Sequence, residues 1–273
     1  MKILVCFKVT PDYEALREAD WAAGAGGEPD TRFVQRILNC FDESALELAL
    51  RLSETLEAQG VTPSLGALSI GGREAEPHLK TLQALGYGRA ARVEADARLD
   101  FAPALVASLI ARYAGRVERS DLLLLGCRSG PGDSGTVPFL VAETLGWPCV
   151  PQVTEVSPLG ADRVRVTCTA DDGLLHATVR LPCVLAVGNA VVSRLRVPTL
   201  RDRLAHKTLS IDVVDTADLG IEVAAGTSDQ TCVLTAFEPI SRARRGVVID
   251  GDTPHKKARV LFDSYLKSVV EAL

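Results

Sequence analysis

The stretch Asp121-Leu122-Leu123-Leu124-Leu125-Gly126-Cys127-Arg128-Ser129-Gly130-Pro131-Gly132-Asp133-Ser134-Gly135-Thr136 decides how this sequence is read. Four consecutive leucines are too few for a helix and apolar on every side, which suits a strand buried on both faces of a parallel sheet. Residues 126–135 then place four glycines in ten positions. A helical pattern runs from Thr136 to Leu145 and stops at Gly146-Trp147-Pro148. Strand, glycine-rich loop and helix N-terminus together favour an anion, because backbone amides can approach it closely and the helix end carries partial positive charge. Ser134 and Thr136 add hydroxyl donors. A loop that merely needs left-handed conformations is the plainer alternative, but its place at a strand-to-helix turn favours nucleotide or phosphate binding.

The same rhythm extends on both sides. Lys2 to Lys8, Pro63 to Ile70 and Ala91 to Ala95 read as further short apolar strands. Between them lie amphipathic helices. From Phe41 to Leu56, Phe41, Ala45, Leu48, Ala49, Leu52 and Leu56 share a face, and Glu43, Glu47, Arg51 and Glu54 oppose it. Asp42 stands at that helix's start, where a carboxylate is favoured. Glu74 to Leu85 and Phe101 to Tyr113 predict two more helices, the second with Pro103 in its first turn. The alternation predicts an α/β fold: a doubly wound, mostly parallel, Rossmann-like sheet. After Pro148, Val164 to Thr169 and Leu175 to Leu181 alternate around Asp171-Asp172-Gly173, which predicts a β-hairpin. Val184 to Val187 reads as one more buried strand. Residues 193–240 lack a clear period and read as an extended C-terminal arm with short β pieces; Thr253 to Leu273 predicts a final amphipathic helix. The expected division is therefore a nucleotide-binding domain at 1–192 and a partner-binding arm with its helix at 193–273.

Composition narrows the function. The chain has 273 residues and a formal net charge of -5, which disfavours a nucleic-acid partner. No apolar run approaches the roughly 20 residues of a membrane-spanning helix. The opening residues read as a strand, not a signal peptide. The seven cysteines (positions 6, 40, 127, 149, 168, 183 and 232) form no Cys-x-x-Cys pair; most sit in apolar strand-like runs and read as small buried hydrophobes of a reducing cytoplasm. The four histidines lie far apart, with no metal-ligand spacing. Neither Gly-x-Gly-x-x-Gly after the first strand nor Gly-x-x-x-x-Gly-Lys-Ser/Thr is present, and no catalytic acid-base pair stands out. In a doubly wound sheet the ligand sits beyond the carboxyl ends of the strands. The loops expected there follow Cys6 to Lys8, Ser69 to Gly72 and Gly126.

Several of these segments, in order, resemble the beta subunits of electron transfer flavoproteins. Lys2-Ile3-Leu4-Val5-Cys6-Phe7-Lys8 is similar to the family's first strand, which ends in a lysine. Asn39-Cys40-Phe41-Asp42-Glu43 resembles Asn-Pro-Phe-Asp/Cys-Glu, with Cys40 in place of proline. Ser69-Ile70-Gly71 resembles the family's Ser-x-Gly, and Gly86-Tyr87-Gly88-Arg89-Ala90 its Gly-Ala-Asp-Arg-Ala. Arg196-Val197-Pro198-Thr199-Leu200-Arg201 resembles Arg-Tyr-Pro-Ser-Leu-Arg. The likeness covers roughly residues 1 to 215.

The resemblance implies a nucleotide-binding fold of the adenine nucleotide alpha hydrolase type. It also implies an electron-carrying subunit with no substrate chemistry of its own, in a heterodimer with an alpha subunit. FAD would be shared with that subunit, and AMP or a second FAD would sit in this one. The expected cofactor-binding residues are Cys6, Lys8, Asn39, Cys40, Phe41, Asp42, Ile70, Gly132, Asp133, Ser134, Gly135, Thr136 and Val137. Leu200 is the expected docking residue for a redox partner dehydrogenase. Family members that bind AMP look like Asp-Asp-Asp-x-Asn-Gln-Thr-Gly in the loop, and electron-bifurcating members like Asp-Gly-Asp-Thr-x-Gln-Val-Gly-Pro. Gly132-Asp133-Ser134 and Val137 lean to the second; Pro131, Thr136 and Pro138 fit neither, so the choice of nucleotide stays open. Two other readings remain. Ser129 to Ser134 is similar to the pyrophosphate loop of ATP pyrophosphatases, although that loop normally follows the first strand. A nucleotide sensor resembling universal stress proteins would leave Arg196 to Arg201 unexplained.

Overall fold

The structure is a computed structural model that describes residues 1–21, 29–95, 99, 101–130, 132–221 and 246–271, the Glu18 side chain excepted. The first strand, β1 (Lys2–Phe7), shows why a two-faced sheet forms. Its odd residues Ile3, Val5 and Phe7 enter one core layer, and its even residues Leu4 and Cys6 enter the other. Successive side chains of a strand point to opposite faces, so an unbroken apolar run must be covered twice. A short ribbon follows, β2 (Val9–Pro11) pairing antiparallel with β3 (Arg36–Leu38), with the turn of helix α1 (Glu18–Trp21) between them. Helix α2 (Cys40–Ala58) then covers the odd face through Ala45, Leu48, Ala49, Leu52 and Leu56. Strand β4 (Ser64–Ile70), helix α3 (Glu76–Ala84), strand β5 (Arg89–Glu94) and helix α4 (Pro103–Arg112) continue the alternation, and α4 ends in a single π turn over 113–118.

Strand β6 (Leu122–Gly126) and helix α5 (Val137–Leu145) are the elements foreseen around the glycine-rich loop. Helices α2 and α3 contribute to one core layer, and α4 and α5 to the other. Strand β7 (Cys149–Pro158) was not foreseen. The hairpin of β8 (Arg163–Ala170) and β9 (Gly173–Arg180) matches expectation, with Ala170 paired to Gly173 across Asp171-Asp172. Strand β10 (Cys183–Val187), helix α6 (Leu200–Ala205) and strand β11 (Asp212–Asp215) follow. The nine-stranded sheet has the order β11-β5-β4-β1-β6-β10-β7-β8-β9, parallel from β11 to β7 and antiparallel across the hairpin. This is the doubly wound α/β architecture that the sequence predicts.

The chain forms two compact units, 1–236 and 237–273. Within the first, residues 193–221 are held on the unit's own surface by polar contacts and by scattered apolar ones, with Leu219 buried and Leu195, Ile211, Val214 and Ile221 packed against the core. The Leu195 amide donates to Glu43, Arg196 pairs with Glu47 and Glu54, Gln83 donates to the Ser210 carbonyl at 2.7 Å, and β11 extends the sheet beside β5. The rest of the arm expected as far as Pro239 lies outside the described residues. In the second unit, α7 (Pro254–Leu261) starts with Thr253 accepting the Lys256 amide and continues through a π turn over 262–266 into α8 (Lys267–Val270). No described helix is long and apolar enough to cross a membrane.

Candidate functional site

The order of the sheet creates the site. From β1 the chain winds outward through β4 and β5, then returns to β6 and winds the other way through β10. Connections therefore leave the carboxyl ends of β1 and β6 in opposite directions, and a crevice must open between them. That crevice opens to solvent. Of the residues expected to bind a cofactor, Cys6, Lys8, Asp42, Ile70, Asp133, Ser134, Gly135 and Val137 line it. Asn39, Cys40, Phe41, Gly132 and Thr136 flank it instead.

Asp42 lies at the bottom, in the first turn of α2. Its Oδ2 accepts the Lys8 amide at 2.8 Å, and its Oδ1 accepts the Gly126 amide at 2.7 Å. Both carboxylate oxygens are thus engaged by the ends of the two diverging strands. Burial pushes its pKa up to about 6, against the opposing pull of those two amides, the Asn39 side chain and Lys8. Gly126 is required by this packing. A Cβ there would meet Asp42 Oδ1 and come within 2.8 Å of Phe41 Cβ and 2.9 Å of the Asp42 amide nitrogen. Asn39 does not cap α2 with its side chain. Its Nδ2 donates to the Arg128 carbonyl at 3.0 Å, tying the start of α2 to the loop after β6, while the Arg128 guanidinium sits 5.8 Å over the Phe41 ring. Cys6 is buried in the wall, and burial raises its thiol pKa far above the ordinary value.

The glycine-rich loop returns toward β6 through left-handed residues: Gly132, Asp133 and Gly135 have φ of 98°, 38° and 63°. Asp133 lies 3.8 Å from Arg128 across the loop. No side chain caps the first turn of α5; Val137 and Pro138 of that turn line this end of the crevice, and the Thr136 hydroxyl donates to Ser134 Oγ beside them at 3.2 Å. Pro138, in that first turn, brings no amide. The opposite wall is apolar. Leu68, Ile70, Leu99, Pro103, Val106 and Ile110 supply it, much of it from α4. Reading the sequence did not single out this α4 face, because its helical pattern shows that one side is buried but not which residues reach past the sheet's end. The Ile70-Gly71 turn is pinned by Arg92, the largest fully buried side chain, whose Nη1 donates to the Gly71 carbonyl at 3.1 Å. One end of the crevice thus offers hydrogen-bond donors suited to an anion, and the other an apolar wall suited to a ring.

The pattern of the electron transfer flavoprotein domain matches residues 31–219, which include α2, the loops after β4 and β6 and the Arg196 to Arg201 segment, but not the end of β1 at Cys6 to Lys8. A provisionally named electron transfer flavoprotein subunit of Escherichia coli K12, YgcR, is 36% identical over 270 residues, 98% of each chain. The chain belongs to the electron transfer flavoprotein beta subunit family. Beta subunits of electron transfer flavoproteins from Mycobacterium bovis and Mycobacterium tuberculosis are 25% identical over 258 residues, 92% of this chain and 93% of theirs. These matches support an electron transfer flavoprotein role. Leu200, the expected docking residue, opens α6 and is 72% exposed. The short helix that presents it is closed by a reciprocal pair: Thr199 accepts the Asp202 amide, and Asp202 accepts the Thr199 amide.

Proposed function

We propose that this chain is the beta subunit of a heterodimeric electron transfer flavoprotein, and that its switch-point crevice holds an adenine nucleotide, AMP or a second FAD. In this reading the subunit shares a redox-active FAD with an alpha subunit and relays electrons from a dehydrogenase to an acceptor. The observation that carries the reading is the pairing, in one crevice, of the uncapped first turn of α5 with the apolar wall from Ile70 to Ile110. The phosphate would lie on the amides of Gly135, Thr136 and Val137, with Arg128 and Lys8 supplying positive charge nearby. The base would lie against the apolar wall. Leu200 would dock the redox partner from a rigid helical start.

The test is to co-express the chain with an alpha subunit, purify the complex, denature it and identify the nucleotides released. AMP or FAD beyond the one shared flavin is the expected result. Gly135→Leu should then abolish retention of that nucleotide, because a side chain at φ of 63° strains the loop that would hold it. A complex that releases no adenine nucleotide other than the shared flavin, or a Gly135→Leu variant that keeps it, would sink the assignment.

A further inference from the structure

We propose that Asp42 is the positioning residue of the crevice: a clamp that sets the gap between the carboxyl ends of β1 and β6, and not itself a contact to the ligand. The inference rests on the nucleotide reading above and reassigns one of its expected ligand residues. Three observations carry it. First, each carboxylate oxygen already accepts one backbone amide, from Lys8 at 2.8 Å and from Gly126 at 2.7 Å. Second, the two donors belong to the two strands whose connections diverge, so one side chain spans the point where the sheet's winding reverses. Third, Gly126 leaves no room for a Cβ against Asp42, so the clamp and the glycine form one fitted unit.

Chemistry makes the arrangement specific to a carboxylate. Two amide donors converge from opposite strands, so both terminal atoms of the clamp must be acceptors. Asparagine has one acceptor oxygen, and its NH2 would face the second amide donor to donor. Glutamate keeps both acceptors but places them one methylene farther out. Each bond to the ionised group is charge-assisted, and losing one leaves a backbone amide without its partner in a buried setting. The separation of β1 and β6 at this level fixes where Lys8 and the loop after Gly126 stand, and therefore the width available to a ligand.

The experiment uses the intact alpha-beta complex stripped of the beta-subunit nucleotide, with AMP as the probe, and compares wild type with Asp42→Asn and Asp42→Glu. Affinity should fall in the order wild type, Glu, Asn, with Asp42→Asn weaker by roughly tenfold or more, the scale of one lost charge-assisted bond. Hydrogen exchange at the Lys8 and Gly126 amides is the second readout. Both should exchange faster in Asp42→Asn and stay largely protected in Asp42→Glu. Weakened AMP binding with unchanged protection of both amides would mean direct ligand contact and overturn the clamp, as would Asn binding like wild type. Should Asp42→Asn fail to fold, Asp42→Glu decides: loss of protection at both amides despite two acceptors overturns the proposal. If wild type binds no nucleotide, the functional assignment fails, while the exchange data still test the clamp.

Discussion

Burial governs the protonation of Asp42, and through it the acid response of the fold. Its folded-state pKa of about 6 exceeds the value of about 3.9 expected in an unfolded chain. The native state therefore holds a proton that the unfolded state has released between those two values. This contribution to stability is full below the unfolded pKa and is lost as pH rises through about 6; the span corresponds to roughly 3 kcal/mol. Glu47 runs the other way. Burial raises its pKa, but the hydrogen bonds from Arg196 and then Arg51 outweigh burial and hold it below the ordinary value, so its contribution is lost on acidification. Urea unfolding of wild type and Asp42→Asn between pH 4 and 7 separates the two. The difference between the curves should grow toward pH 4, and parallel curves would show that Asp42 titrates as it does in the unfolded chain. Much of the site was legible at this scale because its residues sit at strand ends and in a glycine-rich turn, features that sequence displays directly. The clamp was not. Asp42 reads from sequence as a first-turn acid or as a ligand contact, and its two amide donors lie 34 and 84 residues away.

Helix α2 connects the crevice to the segment that carries Leu200. Asp42 and Asn39 hold its start to the crevice loops, while Glu43, Glu47 and Glu54 along its length receive Leu195 and Arg196. Arg196 is the principal tie: it contacts both carboxylates of Glu47 and Glu54, and Glu47 is 3% exposed. Arg196→Ala should lower stability by about 2 kcal/mol, discounted because the guanidinium is partly exposed, and should make residues 193–205 an early site of proteolytic cleavage. Wild-type resistance to cleavage there would argue that β11 alone holds the segment. Strand β7 shows why one element escaped the reading of the sequence. Pro151 and Pro158 in Cys149-Val150-Pro151-Gln152-Val153-Thr154-Glu155-Val156-Ser157-Pro158 argue against an interior strand, since proline cannot donate to a ladder. The fold accommodates Pro151 by a bulge. Gln152 takes φ of 51° and the register against β10 shifts around it, with a second shift against β8 between Val153 and Glu155.

At the scale of the whole molecule, electron relay requires brief encounters, so a docking surface should combine one firm anchor with weak surroundings. Leu200 fits that description, exposed at the start of a capped helix and followed by Arg201-Asp202-Arg203. Leu200→Ala should slow electron exchange with the partner dehydrogenase by about tenfold, the effect of losing a central anchor, while flavin content and thermal midpoint stay near wild type. Unchanged transfer per folded molecule would remove it as the anchor. The placement of β11 has a further consequence, in time. It shields the edge of β5, with Asp212 opposite Ala91, so the shield is encoded some 120 residues after the strand it protects (212 minus 91). At 5–20 residues per second of synthesis, a nascent chain carries that bare edge for roughly 6 to 24 seconds. An open strand edge is a template for pairing with other chains. A chain cut after residue 192 would keep it bare permanently and should aggregate at concentrations where the full chain stays dispersed, as light scattering would record. The segment that presents Leu200 therefore also ends the period in which the edge of β5 stands bare, leaving the short acid-flanked strand Asp212–Asp215 outermost on that side.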